Sequence, residues 1–307
     1  MTKTKGENRK GKAIYLSHGG GPLPILGEKS HKAMVQFMEH LPSIIGKPDA
    51  IIVISAHWEE KVATVLGSSN PVMFYDYYGF PDEAYNITYP APGNIEIAFR
   101  VAQILKEKGI ECKINDERGF DHGLFIPLKL MYPEADIPAI QLSLVQGLEP
   151  VTHIGMGKAL NELMNENILV VGSGFSFHNM GVFSRNGNIN KDRANDSFQE
   201  WLIETCATPL TRKERERRLI NWEKAPSARY CHTREEHLLP LHVCVGIAGG
   251  SLQAEKIFDD YILGKRAVAF QWEEDYRGHH CSADRCQSKA TPQNVLLPNN
   301  CIEQIEP

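Results

Sequence analysis

The 307-residue chain is 42% hydrophobic and 23% charged, with a formal net charge of -5 and a pI of about 6.2. A mildly acidic chain without a sustained basic stripe is a poor nucleic-acid binder, and no segment approaches the roughly 18 apolar residues that a membrane span requires. The length allows one large domain or two small ones, with a core that needs no disulfide staples.

Residues 1–11 are polar and basic with no apolar run behind them, so they read as a disordered tail and not as a secretory signal. Ala13-Ile14-Tyr15-Leu16 reads as a short buried strand, halted by the loop Ser17-His18-Gly19-Gly20-Gly21-Pro22. Residues 31–40 have helical spacing. Residues 50–55 form the continuous apolar run of a strand covered on both faces, as in a parallel sheet. The alternation then continues with a helix at 94–108, a strand at 110–114, a short helix at 124–131, a strand at 137–143, a helix at 151–164 and a buried strand at 168–172. Further helices are expected at 192–206, 211–220 and 234–248, and a late or edge strand at 265–271. This order predicts an α/β fold with a mainly parallel central sheet flanked by helices. The expected organisation is one catalytic α/β domain over 12–272 and a polar, aperiodic C-terminal extension over 273–307. Lys213-Glu214-Arg215-Glu216-Arg217-Arg218 mixes signs at helical spacing and reads as a solvated helix face.

Seven cysteines, Cys112, Cys206, Cys231, Cys244, Cys281, Cys286 and Cys301, are odd in number and scattered. They read as reduced thiols of a cytoplasmic protein, not as a disulfide framework. His279-His280-Cys281 with Cys286 lacks the regular spacing of a structural zinc site.

Ligands of open α/β sheets collect at the carboxyl ends of the strands, so the residues that follow each strand matter most. Those positions carry His18, then Ser55-Ala56-His57-Trp58-Glu59, then Gly172-Ser173-Gly174-Phe175-Ser176-Phe177-His178-Asn179. A fourth strand-like stretch leads to Gly119-Phe120-Asp121-His122-Gly123. Imidazole is the commonest protein ligand for iron and zinc at neutral pH, and glycines beside His18 and His178 let the backbone approach a metal or substrate. A single such histidine would read as a hydrogen-bonded structural residue; four strand ends point to a metal centre. Ser173 and Ser176 do not form the Gly-x-Ser-x-Gly elbow of a hydrolase. Thr233-x-x-Glu236 reads as a capping box. It places His237 in the first or second turn of a helix, pointing inward, either as a core histidine or as a further member of the centre.

Together, Ser17-His18-Gly19-Gly20-Gly21-Pro22, Ser55-Ala56-His57-Trp58-Glu59, Tyr89-Pro90-Ala91-Pro92-Gly93, Gly119-Phe120-Asp121-His122-Gly123 and Glu236-His237-Leu238-Leu239-Pro240-Leu241 resemble the class III extradiol ring-cleaving dioxygenases, in the branch typified by 4,5-DOPA dioxygenase. The blocks follow the family's order between residues 13 and 271. The resemblance implies a single-domain α/β sandwich and one ion per chain, Fe(II) or Zn(II). It implies metal-ligand positions at His18, His57 and His237, with His178 either a fourth ligand or an acid/base, and His122 as the histidine that binds or protonates substrate oxygen. The implied reaction is the opening of a catechol ring, DOPA-like, by O₂ to a semialdehyde. Asp121, Asn179 and Glu59 are expected to orient the rings, and Arg229, Arg118 and Lys129 are the candidate cations for a substrate carboxylate. The Phe175-Ser176-Phe177 run and the segment after residue 272 depart from the family pattern. Two other readings keep the same fold: a zinc-bound hydrolase or isomerase, and a non-catalytic binding protein.

Overall fold

The computed structural model describes residues 10–184, 191–249 and 253–273. Residues 1–9 of the tail expected over 1–11, residues 274–307 of the extension expected over 273–307, Cys281, Cys286, Cys301 and the His279-His280-Cys281 cluster lie outside the described residues.

The chain opens with β1 (Lys12–Ser17), α1 (Lys32–Ile45), β2 (Ala50–Glu60), β3 (Ala63–Leu66), α2 (Ile95–Glu107) and β4 (Cys112–Asn115). There follow α3 (His122–Met131), β5 (Ala139–Val145), α4 (Pro150–Ala159) and β6 (Ile168–Gly174). The last part holds α5 (Arg193–Ala207), α6 (Arg212–Ile220), the single turn α7 (Ala228–Cys231), α8 (Leu239–Ile247), β7 (Glu255–Ile262) and β8 (Lys265–Glu273). The eight strands form one sheet in the order β4-β3-β5-β2-β6-β1-β8-β7. Its centre, β5-β2-β6-β1, is parallel throughout. β8 is antiparallel to β1 and to β7, and β3 is antiparallel to β5. The mainly parallel sheet flanked by helices is therefore present.

The reason lies in the apolar runs. Ile51, Ile52, Val53 and Ile54 of β2 and Leu169, Val170 and Val171 of β6 are buried, which requires cover on both faces. α8 is buried at every position and so lies inside the domain, not on its surface. α6 is a solvated charged face only in part: Glu214 pairs with Arg217 and Arg218, and Lys158 reaches Glu216, but Arg215 is fully buried and donates to Thr205 O at 3.0 Å and to Thr208 O at 2.8 Å.

Four elements depart from expectation. β3, α7 and β7 were not anticipated: β3 and α7 have four residues each, and β7 is a partly exposed, charged edge strand. The helix expected from 234 begins only at Leu239. Residues 233–238 are instead turns, because the Glu236 carboxylate bonds histidine rings and is not used as a helix cap.

The neutral form of a buried histidine also ties this fold to pH. His153 on α4 lies within hydrogen-bonding distance of Glu149 O through Nδ1, at 2.9 Å, and accepts from Val145 N–H through Nε2 at 3.2 Å. Burial, the largest influence, pushes its pKa down to about 4. The folded pKa lies below the unfolded one, so the contribution is complete above about pH 6.5. It is lost as pH falls from there towards about 4, at about 1.4 kcal/mol per pH unit. His153→Gln is expected to flatten the pH dependence of the urea-unfolding free energy by that slope between these limits. An unchanged slope would refute the assignment.

Candidate metal centre

The carboxyl ends of the parallel strands coincide: Ser17 of β1 lies beside Gly174 of β6, and Ser173 of β6 beside Ser55 of β2. His18 follows β1 directly. It enters a loop in which Gly19 (φ 85°) and Gly21 (φ 57°) take left-handed backbone, open to glycine at little cost. His57 does not follow β2, as expected, but lies inside it. The pairing with β5 jumps from Ile54↔Leu142 to Glu59↔Leu144, so the segment around His57 bulges out of the ladder. Such bulges re-aim side chains. The bulge is braced on both sides: His57 N–H donates to Ser55 Oγ at 3.1 Å, and Arg118 donates to His57 O at 3.1 Å. His122 opens α3. His178 lies beyond β6 and bridges to His232. His237 sits in the turn before α8. Its carbonyl accepts from Tyr15 Oη at 2.9 Å and from Phe175 N–H at 3.0 Å.

Five imidazoles converge. Ring centroids are 4.8 Å apart for His18–His57, 3.8 Å for His57–His122, 5.2 Å for His18–His237 and 4.9 Å for His57–His237. His178 stacks on His237 at 3.4 Å. Within this cluster the nitrogen and oxygen donors form two tight groups, His18 with His57 and His122, and His178 with Glu236 and His237. His18 and His237 are buried, whereas the side chains of His57 and His178 keep 22% and 19% of their exposure. Solvent therefore reaches the cluster at His57 and at His178.

The partners of the rings fix where their lone pairs point. Ser173 Oγ donates to Gly123 O, so it accepts from His18 Nδ1 at 3.0 Å, and His18 Nε2 is left unprotonated. Asp76 Oδ1 lies 2.8 Å from His122 Nδ1. Glu236 Oε1 lies 3.0 Å from His237 Nδ1 and 3.1 Å from His178 Nδ1. A carboxylate on Nδ1 leaves Nε2 as the free donor. His18 Nε2 and His57 Nε2 stand 2.9 Å apart. Two nitrogens each about 2.1 Å from one ion and about 90° apart would be separated by about 3 Å, so this pair fits adjacent metal ligands.

Charge points the same way. Burial, then the neighbouring histidines, holds His18 and His237 well below the ordinary imidazole range. Burial, then His122, does the same to His57 against the opposing pull of Asp76. Neutral imidazole is the form that binds a metal. Burial alone would raise Asp76 and Glu236. Burial is the largest single influence on each, but the hydrogen bonds and charge of His122 with the charge of His57 together outweigh it at Asp76, and the hydrogen bond and charge of His178 with a backbone hydrogen bond and the charge of Arg234 together outweigh it at Glu236, so both stay below the usual carboxylate range.

Asp76 and Glu236 do what was expected of Asp121, Asn179 and Glu59. The hydrogen bonds of those three go elsewhere. Asp121 is held by Ser55 Oγ at 2.8 Å, by Arg118 at 3.0 Å and by Gln141. Asn179 donates to Tyr230 O, and Glu59 pairs with Arg234. Of the cations, Arg229 pairs with Glu223 and Glu235, and Lys129 donates to Thr88 O. Arg118 lies over the rings of Trp58 and Phe74. Phe175 and Phe177 are buried and pack on Phe183. Asp76 carried no sequence signal, because it lies in an aperiodic, tyrosine-rich loop.

Fold and cluster define a class: an α/β protein with a buried nitrogen-donor centre, able to hold a metal ion, at the carboxyl edge of a parallel sheet. Comparison with known proteins narrows it. The family model described as the catalytic LigB subunit of aromatic ring-opening dioxygenase matches residues 12–271. A dioxygenase named tasH, from Hapsidospora irregularis, is 39% identical, over 84% of this chain and 84% of its own. The 4,5-DOPA dioxygenase extradiol of Beta vulgaris is 37% identical, over 81% and 91%, and that of Mirabilis jalapa 35%, over 79% and 89%. An uncharacterized Escherichia coli K12 protein of solved structure superposes with a TM-score of 0.68 at 27% identity, covering 85% of this chain and 98% of its own. The chain belongs to the LigB family of aromatic ring-opening dioxygenases, and it is an oxygenase enzyme. Members of the family are metal-dependent and act with O₂ on small aromatic molecules. Among the described residues no helix is long and apolar enough to cross a membrane.

Proposed function

We propose that this enzyme opens the ring of a catechol beside its diol, adding both atoms of O₂ to give a semialdehyde, with a DOPA-like catechol as the first substrate to try. The observation that carries this reading is the convergence of five imidazoles, four of which, His18, His122, His178 and His237, have an Nδ1 partner that turns Nε2 inward. His18, His57 and His237 are the proposed metal ligands. His178 is the proposed fourth, supported by its stacking on His237 and by the carboxylate the two rings share. An all-nitrogen set suits Fe(II) and Zn(II) alike; the redox step favours one Fe(II) per chain. When bound, the ion supplies the path by which electron density passes from the ring to O₂.

The protein handles the protons. His122 Nε2 accepts a proton from a catechol hydroxyl, and the imidazolium formed is stabilised by Asp76 at Nδ1, 2.8 Å away. The same nitrogen then returns that proton to oxygen as the ring opens. Substrate would reach the cluster from the side on which His57 and His178 keep part of their exposure, with the buried rings of His18 and His237 behind them. Buried free thiols at Cys112, Cys206, Cys231 and Cys244 suit a reducing, cytoplasmic setting. The test is anaerobic loading with Fe(II), followed by air and a catechol panel that includes DOPA. O₂ uptake with a new visible absorbance is expected from the iron form alone. Stoichiometric metal with no uptake across the panel would sink the reading.

A further inference from the structure

Two carboxylates stand behind the cluster, and their bonds are not equivalent. Asp76 Oδ1 receives the backbone N–H of His122 at 3.0 Å and faces ring Nδ1 at 2.8 Å. Its other oxygen is buried, stands 3.4 Å from His57 Nδ1, and has no hydrogen-bond partner among the described residues. Asp76 thus grips His122 twice and His57 not at all by hydrogen bonding. Glu236 Oε1 is shared between Nδ1 of His237 and Nδ1 of His178, at 3.0 and 3.1 Å. Those two rings stack within 15° of parallel, so one oxygen orients both.

We propose that Asp76 and Glu236 are positioning residues with divided tasks. Asp76 sets His122 as the proton carrier, and Glu236 sets His178 and His237 as metal ligands. The Asp76 half deepens the dioxygenase reading and rests on it; the Glu236 half needs only a metal. With Asp76 on Nδ1, the proton taken from the catechol O–H can go only to Nε2. The charge is then shared with the carboxylate, and the same proton is later released to oxygen. Without Asp76 the ring is free to adopt the other tautomer, whose Nε2 already carries hydrogen and accepts nothing. Without Glu236, two rings lose the acceptor that turns their Nε2 lone pairs inward. The residue next to His237 thereby controls a second ring brought in from beyond β6.

The full-length protein tests this with Asp76→Asn, Asp76→Glu and Glu236→Gln. Zn(II) affinity is read by competition with a chromophoric chelator, ring tautomers by ¹⁵N NMR of the zinc form, and kcat and KM on the Fe(II) form. Glu236→Gln is expected to weaken zinc binding about 10- to 100-fold, and Asp76→Asn by no more than about threefold. Asp76→Asn is expected to lower kcat about 100-fold with little change in KM, to remove the single Nδ1–H tautomer of His122, and to be partly rescued by Asp76→Glu. Equal zinc loss in the asparagine and glutamine variants, or an unchanged His122 tautomer, would overturn the division. A wild-type iron enzyme that opens no catechol overturns the dioxygenase reading and the proton role together. Zinc affinity and tautomers then decide the positioning roles alone.

Discussion

His57→Ala is expected to lose stoichiometric metal binding and to reduce ring opening about a thousandfold or more, equal to about 4 kcal/mol of transition-state stabilisation. The size follows from where His57 stands. Its Nε2 is 2.9 Å from that of His18, and its ring is central, within 4.9 Å of the rings of His18, His122 and His237. Alanine removes one donor and leaves the other imidazoles without a complete set, and water entering the gap competes for the ion. The backbone need not change, because Ser55 Oγ and Arg118 hold the peptide of His57 and not its ring. The melting temperature of the metal-free variant should therefore stay close to that of the wild type. His40→Ala, at an exposed histidine on α1 whose ring meets Ser43 Oγ among the described residues, is the control and should change neither reading. Metal content by elemental analysis, with O₂ uptake on the same preparation, checks both. Full metal retention in His57→Ala would remove His57 from the ligand set.

What could be read from the sequence was whatever depends on local pattern. The apolar runs of β1, β2 and β6 announced a parallel sheet, and three of them delivered His18, His57 and His178 near one edge. The contents of the centre are less legible where they depend on chain crossings. Asp76 reaches His122 from a loop without periodicity, and nothing nearby marks it. Glu236 was visible, but the local rule Thr-x-x-Glu assigned it to a helix cap. The tertiary neighbour His178 takes that carboxylate, and the helix starts at Leu239 instead. His57 was placed after its strand because a bulge interrupts the ladder without ending it. β7 escaped notice because an edge strand with charged residues lacks the apolar alternation that marks a half-buried one. Propensity and period see one chain segment at a time, and these features belong to pairs of segments.

Gly174→Ala is expected to be the most damaging single-methyl change near the site. Gly174 ends β6 where the turn carrying His237 crosses it. A Cβ there would stand 2.1 Å from His237 O and 3.0 Å from the carbonyl carbon, both backbone atoms. Tyr15 closes the other side, with its ring 3.3 Å from the same point. No rotamer change relieves a backbone clash, so the turn must move, at a cost of about 3 kcal/mol, the upper range for overpacking. Moving it breaks the bonds from Tyr15 Oη and Phe175 N–H that fix the His237 carbonyl. It also displaces the ring of a proposed ligand, so stability and metal affinity should fall together. Gly155→Ala on α4 supplies the contrast, since a Cβ there meets nothing within 4 Å. Alanine in a helix interior gains up to about 1 kcal/mol over glycine, so that variant should be neutral or stabilised. Urea midpoints and zinc titrations of the two variants decide the matter. If Gly174→Ala kept both stability and metal, the close crossing of β6 and the His237 turn would not be what positions this ligand.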